Sequence, residues 1–248
     1  MRLRSGAHLT YCTNIHPGES WDEVRRNVET EVRAVKARVC PDRPFGVGLR
    51  LSAAAAASLA APRALESFRD WLVGEGLYVF TINAFPYGPF HGQPVKEWVY
   101  RPDWREPERL AYSAEVAGIL ASLLPAASPD QTLTGSVSTV PGCFRPRAMD
   151  PEATGTMARA LGEHAATLWR IQQAGGPELG LALEPEPECV METSADAIGF
   201  LTEQVFAGAG AEAFARASGL AGTAISMVRQ LRIALSDSWI WGASRRLP

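Results

Sequence analysis

The chain has 248 residues, of which 46% are hydrophobic and 21% are charged, and its formal net charge is −3. This composition is typical of a soluble globular protein and excludes a wholly disordered chain. The weakly acidic balance argues against a dedicated nucleic-acid-binding protein, so we expect no nucleic acid among its partners.

The sequence gives no sign of membrane insertion or export. No apolar run approaches the roughly 18 residues that a membrane-spanning helix needs, and the first ten residues lack the apolar segment of a secretory signal. Four cysteines lie far apart without a CxxC pair, which favours reduced thiols over a disulfide scaffold or a zinc ribbon. We therefore expect a cytoplasmic protein without direct membrane insertion.

Strand and helix signals alternate from residue 8 to residue 206. A short strand is predicted over residues 8–13, and a helix follows Ser20, whose side chain forms a capping box with Glu23. Apolar residues then recur every three or four positions, which predicts one buried stripe. The members of this stripe are Trp21, Val24, Val28, Val32, Val35 and Val39.

Later units repeat the same order of strand and helix. Further strands are predicted over residues 45–51, 77–82, 133–138 and 179–183, and helices over residues 62–75, 107–124, 150 onward and 194 onward. Repeated units of this kind imply a parallel sheet covered by helices, either doubly wound or a (β/α) barrel.

Two observations bear on the choice between these architectures. No strand is followed by GxGxxG or GxxxxGK[ST], which disfavours a doubly wound nucleotide-binding sheet. Polar residues follow the strands, as in a barrel, whose active site lies at the carboxyl ends of the strands. At about 40 residues per unit, however, eight units need more than 300 residues, so a closed eight-stranded barrel does not fit this chain.

The first candidate site residues follow the first predicted strand. The segment Tyr11–Glu19 contains Asn14, His16 and Glu19, whose side chains could ligate a metal or hold a hydroxylated substrate. The alternative is a Pro-Gly turn with a surface histidine.

The loop after the third strand is the second candidate. Residues 83–106 are irregular and rich in aromatic side chains, and long irregular loops in compact domains are usually functional. Aromatic walls with a few polar groups suit a polyhydroxylated ligand, whereas the alternative is a small core beneath a long loop. The polar and aromatic candidates in this stretch are Asn83, Tyr87, His91, Lys96 and Glu97.

Three carboxylates at alternate positions leave the fifth strand. In an extended chain Glu184, Glu186 and Glu188 point the same way, and such hard oxygen ligands suit Mg²⁺ or Mn²⁺ and, with histidines, Zn²⁺. Glu184 is the strongest single candidate because it lies at the exit of the strand. We expect His8 to serve stability and His164 to lie at the surface or its boundary.

These motifs together resemble a known family. The segments YCTNIHPGE, NAFPYGPFH, VKEWVYRPDW, GSVSTVPG and LALEPEPE are similar, in order and spacing, to the EboE family of metabolite-traffic proteins, which belongs to the xylose-isomerase-like, divalent-metal-dependent TIM barrels. The resemblance covers about residues 8–206. It implies a (β/α) barrel of about five βα units, a divalent metal (Mg, Mn or Zn) held by Glu184, and a pocket lined by Asn14, His16, His91, Lys96 and Glu97.

Residues 207–248 depart from this resemblance. Relatives continue into a sixth strand with a D-x-C-H-like motif, which this chain lacks, and 17 of the 18 prolines precede residue 207. We therefore predict a partial barrel over residues 1–206 and a divergent tail over residues 207–248 that arises from a frameshift or a truncation. An open sheet has unpaired edges and exposed apolar surface, which predicts marginal stability and no catalysis.

Three functions follow from these residues and from the resemblance. In the first, the protein is a metal-dependent enzyme of isomerase or epimerase type, in which His91, Lys96 and Glu97 move protons and Asn14, His16, Asn83 and Tyr87 bind a small polyhydroxylated metabolite. In the second, it is a non-catalytic carrier that holds the metabolite for export with other proteins of the same operon. In the third, it is an inactive fragment.

Overall fold

The fold is described from a computed structural model that covers residues 1–89, 97–126, 133–220 and 231–233. Six strands form one sheet: β1 Thr10–Cys12, β2 Phe45–Arg50, β3 Leu77–Asn83, β4 Gly135–Thr139, β5 Leu179–Leu183 and β6 Leu231–Ile233. All neighbouring strands are parallel, and their order across the sheet is their order along the chain. A doubly wound sheet reverses its strand order at a switch point, so that alternative is wrong for this chain.

Helices connect the strands. They are α1 Trp21–Asn27, α2 Arg33–Val39, α3 Ala53–Leu59, α4 Pro62–Gly74, α5 Pro107–Leu123, α6 Ala153–Gln173, α7 Ser194–Phe200 and α8 Ala209–Ser218. π-Helical segments at Val28–Val32 and Leu201–Val205 continue α1 into α2 and extend α7, and 3₁₀ turns occur at Thr13–Ile15, Trp98–Tyr100 and Arg145–Arg147. Helices α4, α5 and α6 contact strands β3, β4 and β5.

The first helix confirms its predicted start but not its whole predicted stripe. Ser20 Oγ accepts a hydrogen bond from Glu23 N–H, and a Glu23 carboxylate oxygen accepts one from Ser20 N–H at 2.9 Å. The apolar residues are buried as far as Val32, whereas Val39 is 56% exposed. The π segment adds residues to one turn and rotates the following turns, so the 3.6-residue stripe no longer faces the core.

The described part of residues 207–248 packs onto the rest of the fold. Helix α8 packs against α6 so closely that a Cβ on Gly162 would lie 2.1 Å from the Gly210 carbonyl oxygen. Strand β6 pairs in register with β5, with Leu181 opposite Leu231 and Leu183 opposite Ile233. The structure therefore has a sixth strand inside the segment that the sequence pattern marks as a divergent tail.

His164 contradicts its predicted surface position. It is fully buried on α6 next to Trp104, with 5.8 Å between ring centroids, and neither of its ring nitrogens has a hydrogen-bond partner among the described residues. Burial lowers the pKa of His164 to about 4, so the ring is neutral at pH 7.

Candidate functional site

The two faces of the sheet differ in chemistry. Side chains alternate between the faces, and the set that includes Val137 and Leu181 belongs to the main apolar core. A Cβ on Gly135, in the same alternation, would contact Leu120 of α5 at 3.1 Å, which identifies this face as the one that packs against the helices. We call the opposite face the inner face.

Strand register identifies the residues of the inner face. Cys12 pairs with Gly48, Gly48 with Thr81, and Thr81 with Ser136; at the next level Arg50 pairs with Asn83, and Asn83 with Ser138. Ser138 pairs with Ala182, and Glu184 follows two residues later on the same face. The carboxyl end of the inner face is thus largely polar.

Glu184 lies where the sequence predicted it, directly after β5. Its backbone N–H donates to the Thr139 carbonyl at 3.2 Å, which holds it beside the end of β4. Burial, with a smaller contribution from the negative charge of Glu186, raises the pKa of the Glu184 carboxyl to about 7. The Ser138 hydroxyl lowers this pKa in part, although its contact with the carboxylate lacks full hydrogen-bond geometry.

Two buried hydroxyls lie beneath Glu184 on the inner face. Ser136 and Ser138 are 5% and 2% exposed; among the described residues the Ser136 hydroxyl has no hydrogen-bond partner, and the Ser138 hydroxyl has only its contact with the Glu184 carboxylate. Buried hydroxyls without partners are uncommon, because each loses its hydrogen bonds to water. These serines therefore have unused hydrogen-bonding capacity next to a carboxyl group that titrates near neutral pH.

Cys12 is influenced by Glu184 from the opposite end of the first five strands. Burial raises the pKa of the Cys12 thiol to about 11, and the Glu184 charge contributes to the increase. Cys12 and Glu184 both belong to the inner face by strand register, and the Cys12 thiol keeps its proton at pH 7.

Arg50 organises the loop after β1. Its guanidinium is 2% exposed and forms a two-point ion pair with Glu19 at 2.8 and 3.1 Å. The same group donates to the carbonyls of Gly18 and Gly88, and so joins the loops after β1 and β3. Glu19, a sequence candidate for a ligand, is thus committed to an ion pair.

The other two candidates in the loop after β1 lie nearer to solvent. Asn14 is half-buried within the 3₁₀ turn, and His16 is half-buried directly after it. The His16 ring nitrogen Nε2 lies 2.9 Å from the Tyr11 hydroxyl. The loop therefore presents a histidine–tyrosine pair beside the end of β1.

The loop after β3 forms both a small core and a groove. Phe85 packs on Tyr100, and Tyr100 stacks on Phe144. Tyr87 and Trp98 instead line an open groove of about 480 Å³, together with Pro86, Gly88, Pro89, Val99, Arg101, Pro102, Glu106 and Glu108. Both predicted interpretations of this loop therefore apply. One part of the loop forms a small aromatic core, and another part lines a groove that could hold a ligand.

The remaining predicted site residues fall into three groups. Asn83 ends β3 on the inner face, and its side-chain oxygen accepts a hydrogen bond from Phe85 N–H at 3.0 Å. Glu97 is exposed just before the Trp98–Tyr100 turn. His91 and Lys96 lie outside the described residues.

The three alternating glutamates do not continue as an extended chain. Glu188 is exposed and has a backbone φ of 64°, so the segment turns after Glu186 and Glu188 leaves the line of the other two. Within residues 1–89, 97–126, 133–220 and 231–233, no three His, Cys, Asp or Glu side chains come together as a metal site. Among the described residues, Glu184 is therefore a single candidate ligand, and no further ligands complete a metal site around it.

Sequence reasoning missed Arg50 and Arg109. Arg109 is fully buried, and its guanidinium donates to the carbonyls of Ala84, Phe85 and Pro102 at 2.7–3.1 Å. Burial lowers the pKa of Arg109 to about 10, which still leaves it charged at pH 7. A buried arginine has no distinct signature in one sequence, whereas the Ser-Val-Ser alternation of β4 does indicate a polar face.

Comparisons with protein-family models, curated proteins and solved structures return no match to this chain. Across the described ranges, the structure has no helix with both the length and the apolar character required to cross a bilayer.

Proposed function

We propose that this protein binds a small polyhydroxylated metabolite on the inner face of a partial (β/α) barrel and that Glu184 moves a proton on that ligand. The resemblance to the EboE family, and to its sugar isomerase and epimerase relatives, also supports this proposal. The observation that carries it is a mostly buried carboxyl group at the carboxyl end of β5, with a pKa of about 7, beside the buried hydroxyls of Ser136 and Ser138.

The chemistry follows from the pKa of Glu184. A carboxyl group that titrates near pH 7 exists in both forms at neutral pH, so it can act as a base and then as an acid. The carboxylate would take the proton from the carbon next to a substrate carbonyl, and the acid would return that proton to the ligand. Asn14, His16 and Asn83 are proposed to bind the ligand beside Glu184, Tyr87 to contact it from the adjacent groove, and His91, Lys96 and Glu97 to assist proton transfer.

Glu184 is the residue that is proposed to bind a divalent metal. The described residues do not complete a three-ligand site, so no proton-transfer step is assigned to a metal. Metal content after dialysis against Mn²⁺ tests this component, with Glu184→Gln compared against Glu188→Gln. Loss of bound Mn²⁺ in the Glu184 variant alone is expected if Glu184 is a ligand, and equal Mn²⁺ content in both would contradict that role.

A non-catalytic carrier is the second candidate. It is favoured because, among the described residues of the inner face, Glu184 is the group whose pKa lies near neutrality, while Cys12 keeps its proton at pH 7. An epimerase that works on both faces of a planar intermediate needs two proton-transfer groups. A carrier would use the same inner face to hold the metabolite for other proteins of an export operon.

One experiment separates these functions. Free pentoses, hexoses and inositols are incubated with the protein in D₂O, and NMR measures both binding and the exchange of carbon-bound hydrogen. Binding with exchange that Glu184→Gln abolishes supports an enzyme, and binding without exchange supports a carrier. Exchange that persists in Glu184→Gln, or binding without exchange that this variant leaves unchanged, contradicts the role of Glu184, and an aggregated chain that binds none of these compounds supports the inactive fragment. Glu188→Gln is the matched control because Glu188 is exposed in the same loop.

A further inference from the structure

The groove after β3 is a preformed structure rather than a gap between loose loops. Arg109 fixes one wall through the carbonyls of Ala84 and Phe85 and the other wall through the carbonyl of Pro102. Arg50 adds a 2.9 Å hydrogen bond to the carbonyl of Gly88. Buried side chains that hold both walls make the shape of the groove independent of a ligand.

The lining of the groove combines aromatic and polar groups. Trp98 is 63% exposed, which is a large apolar surface for a soluble protein to leave in water. The Arg101 guanidinium lies 5.4 Å from the Trp98 ring centroid and donates to Glu106 at 3.0 Å, while Glu108 is exposed on the groove wall. An aromatic face beside carboxylate and guanidinium groups matches a sugar ring, which has an apolar C–H face and a rim of hydroxyls.

The groove and the inner face belong to one end of the sheet. Pro86, on the groove wall, is three residues from Asn83 on the inner face, so the two lie within about 10 Å of each other. On the opposite wall, Val99 lines the groove, and the pKa of the adjacent Tyr100 is raised by burial and by nearby charges that include Glu186. A ligand that occupies the inner face can therefore extend toward the groove.

We propose that this groove is a second carbohydrate subsite, in which Trp98 and Tyr87 hold a sugar ring other than the one that reaches Glu184. The ligand of the protein is then larger than a monosaccharide. This inference rests on the proposed function, because it takes the inner face as the site of the first ring. The volume of about 480 Å³ lies in the range of small-molecule sites.

Matched monosaccharides and disaccharides test the inference. Calorimetry with D-xylose and xylobiose, and with D-glucose and cellobiose, is expected to show the disaccharide of the preferred pair binding at least about 10-fold more tightly. Trp98→Ala is expected to lower disaccharide affinity at least about 10-fold and to change monosaccharide affinity less than about 2-fold. Trp98→Phe retains a stacking face and is expected to restore most of the disaccharide affinity.

The control is Met149→Ala, which removes an 84% exposed apolar side chain outside the groove lining and is expected to change neither affinity. The inference is overturned if Trp98→Ala binds the disaccharides like the parent protein, or if no disaccharide binds better than its monosaccharide. Trp98-dependent binding of an arginine-containing polyproline peptide, without disaccharide binding, would also overturn it by assigning the groove to a protein partner. Monosaccharide binding that needs Glu184 would leave the proposed function standing in each of these cases.

Discussion

The same strands form both faces of the parallel sheet, but the two faces differ in chemistry and in role. The helix-facing side chains, such as Val137 and Leu181, are fully buried in the apolar core. The opposite, inner face carries the buried hydroxyls of Ser136 and Ser138 and, just after β5, the mostly buried carboxyl group of Glu184. The helix-facing side therefore stabilises the fold, whereas the polar groups of the inner face lower its stability. This is the arrangement expected of a binding site.

The largest expected effect comes from a substitution on the helix-facing side of the sheet. Leu181→Ala removes a fully buried side chain and leaves a cavity, so we expect it to lower the free energy of unfolding by about 3 kcal/mol. Urea denaturation measures this loss. A loss below about 1 kcal/mol would contradict a packed helix-facing core.

The second prediction uses pH, because the two sides respond in opposite directions. His164 binds a proton less readily in the folded chain than in the unfolded chain, so it lowers stability as the pH falls from about 6.5 to its folded pKa of about 4. Glu184 binds a proton more readily when folded, so it lowers stability as the pH rises from about 4.5 to about 7. Each contribution approaches about 3 kcal/mol at its limit.

Single variants separate the two contributions. His164→Leu is expected to remove the loss on the acid side, and Glu184→Gln the loss toward neutral pH, in denaturation curves measured from pH 4 to pH 8. If either variant has the same pH dependence as the parent protein, the burial assigned to that residue is wrong.

The third prediction tests the ion pair that joins the loops at the carboxyl end of the sheet. Arg50→Met leaves Glu19 and the carbonyls of Gly18 and Gly88 without their donor, and we expect a stability loss of about 2 kcal/mol. Arg25→Met breaks a more exposed pair with Glu29 and should cost less than about 1 kcal/mol. If the two variants lose the same stability in thermal unfolding, the burial of Arg50 does not strengthen its ion pair with Glu19.

The smallest effect on stability is expected for the inner-face hydroxyls. Ser138→Ala removes a hydroxyl whose contact with Glu184 lacks full hydrogen-bond geometry, so the free energy of unfolding should change by less than about 0.5 kcal/mol. Thr139→Val, one residue along on the helix-facing side, removes a buried hydroxyl that lacks a partner among the described residues and should be similarly mild. Sugar affinity distinguishes them, because only Ser138→Ala is expected to weaken binding; equal affinities would contradict the polar inner face as a ligand site.

Much of the fold could be predicted because periodicity and breakers report local structure. Strand β5 begins and ends where predicted, since its apolar run is bounded by Pro177-Glu178 and Glu184-Pro185. Helix α3 has no sequence prediction because an alanine run has no polar face that would set its period. The three-residue β6 is too short to give a pattern at all.

The site was predictable only in part, for a different reason. Glu184 could be placed because the position after a parallel strand is fixed by topology. The burial of His164 and the pairing of Arg50 with Glu19 depend on residues distant in the chain, and a single sequence holds no record of such contacts. Their roles therefore emerged only from the packed structure.

The most direct test of the account is the titration of Glu184 itself. Carboxyl ¹³C NMR of the folded chain, with the resonance assigned by its absence in Glu184→Gln, gives the pKa of this group in solution. Burial of Glu184 on the inner face predicts a midpoint near pH 7. A midpoint near pH 4.5, the ordinary value for an exposed glutamate, would contradict both the enclosed inner face and the proton-transfer role of Glu184.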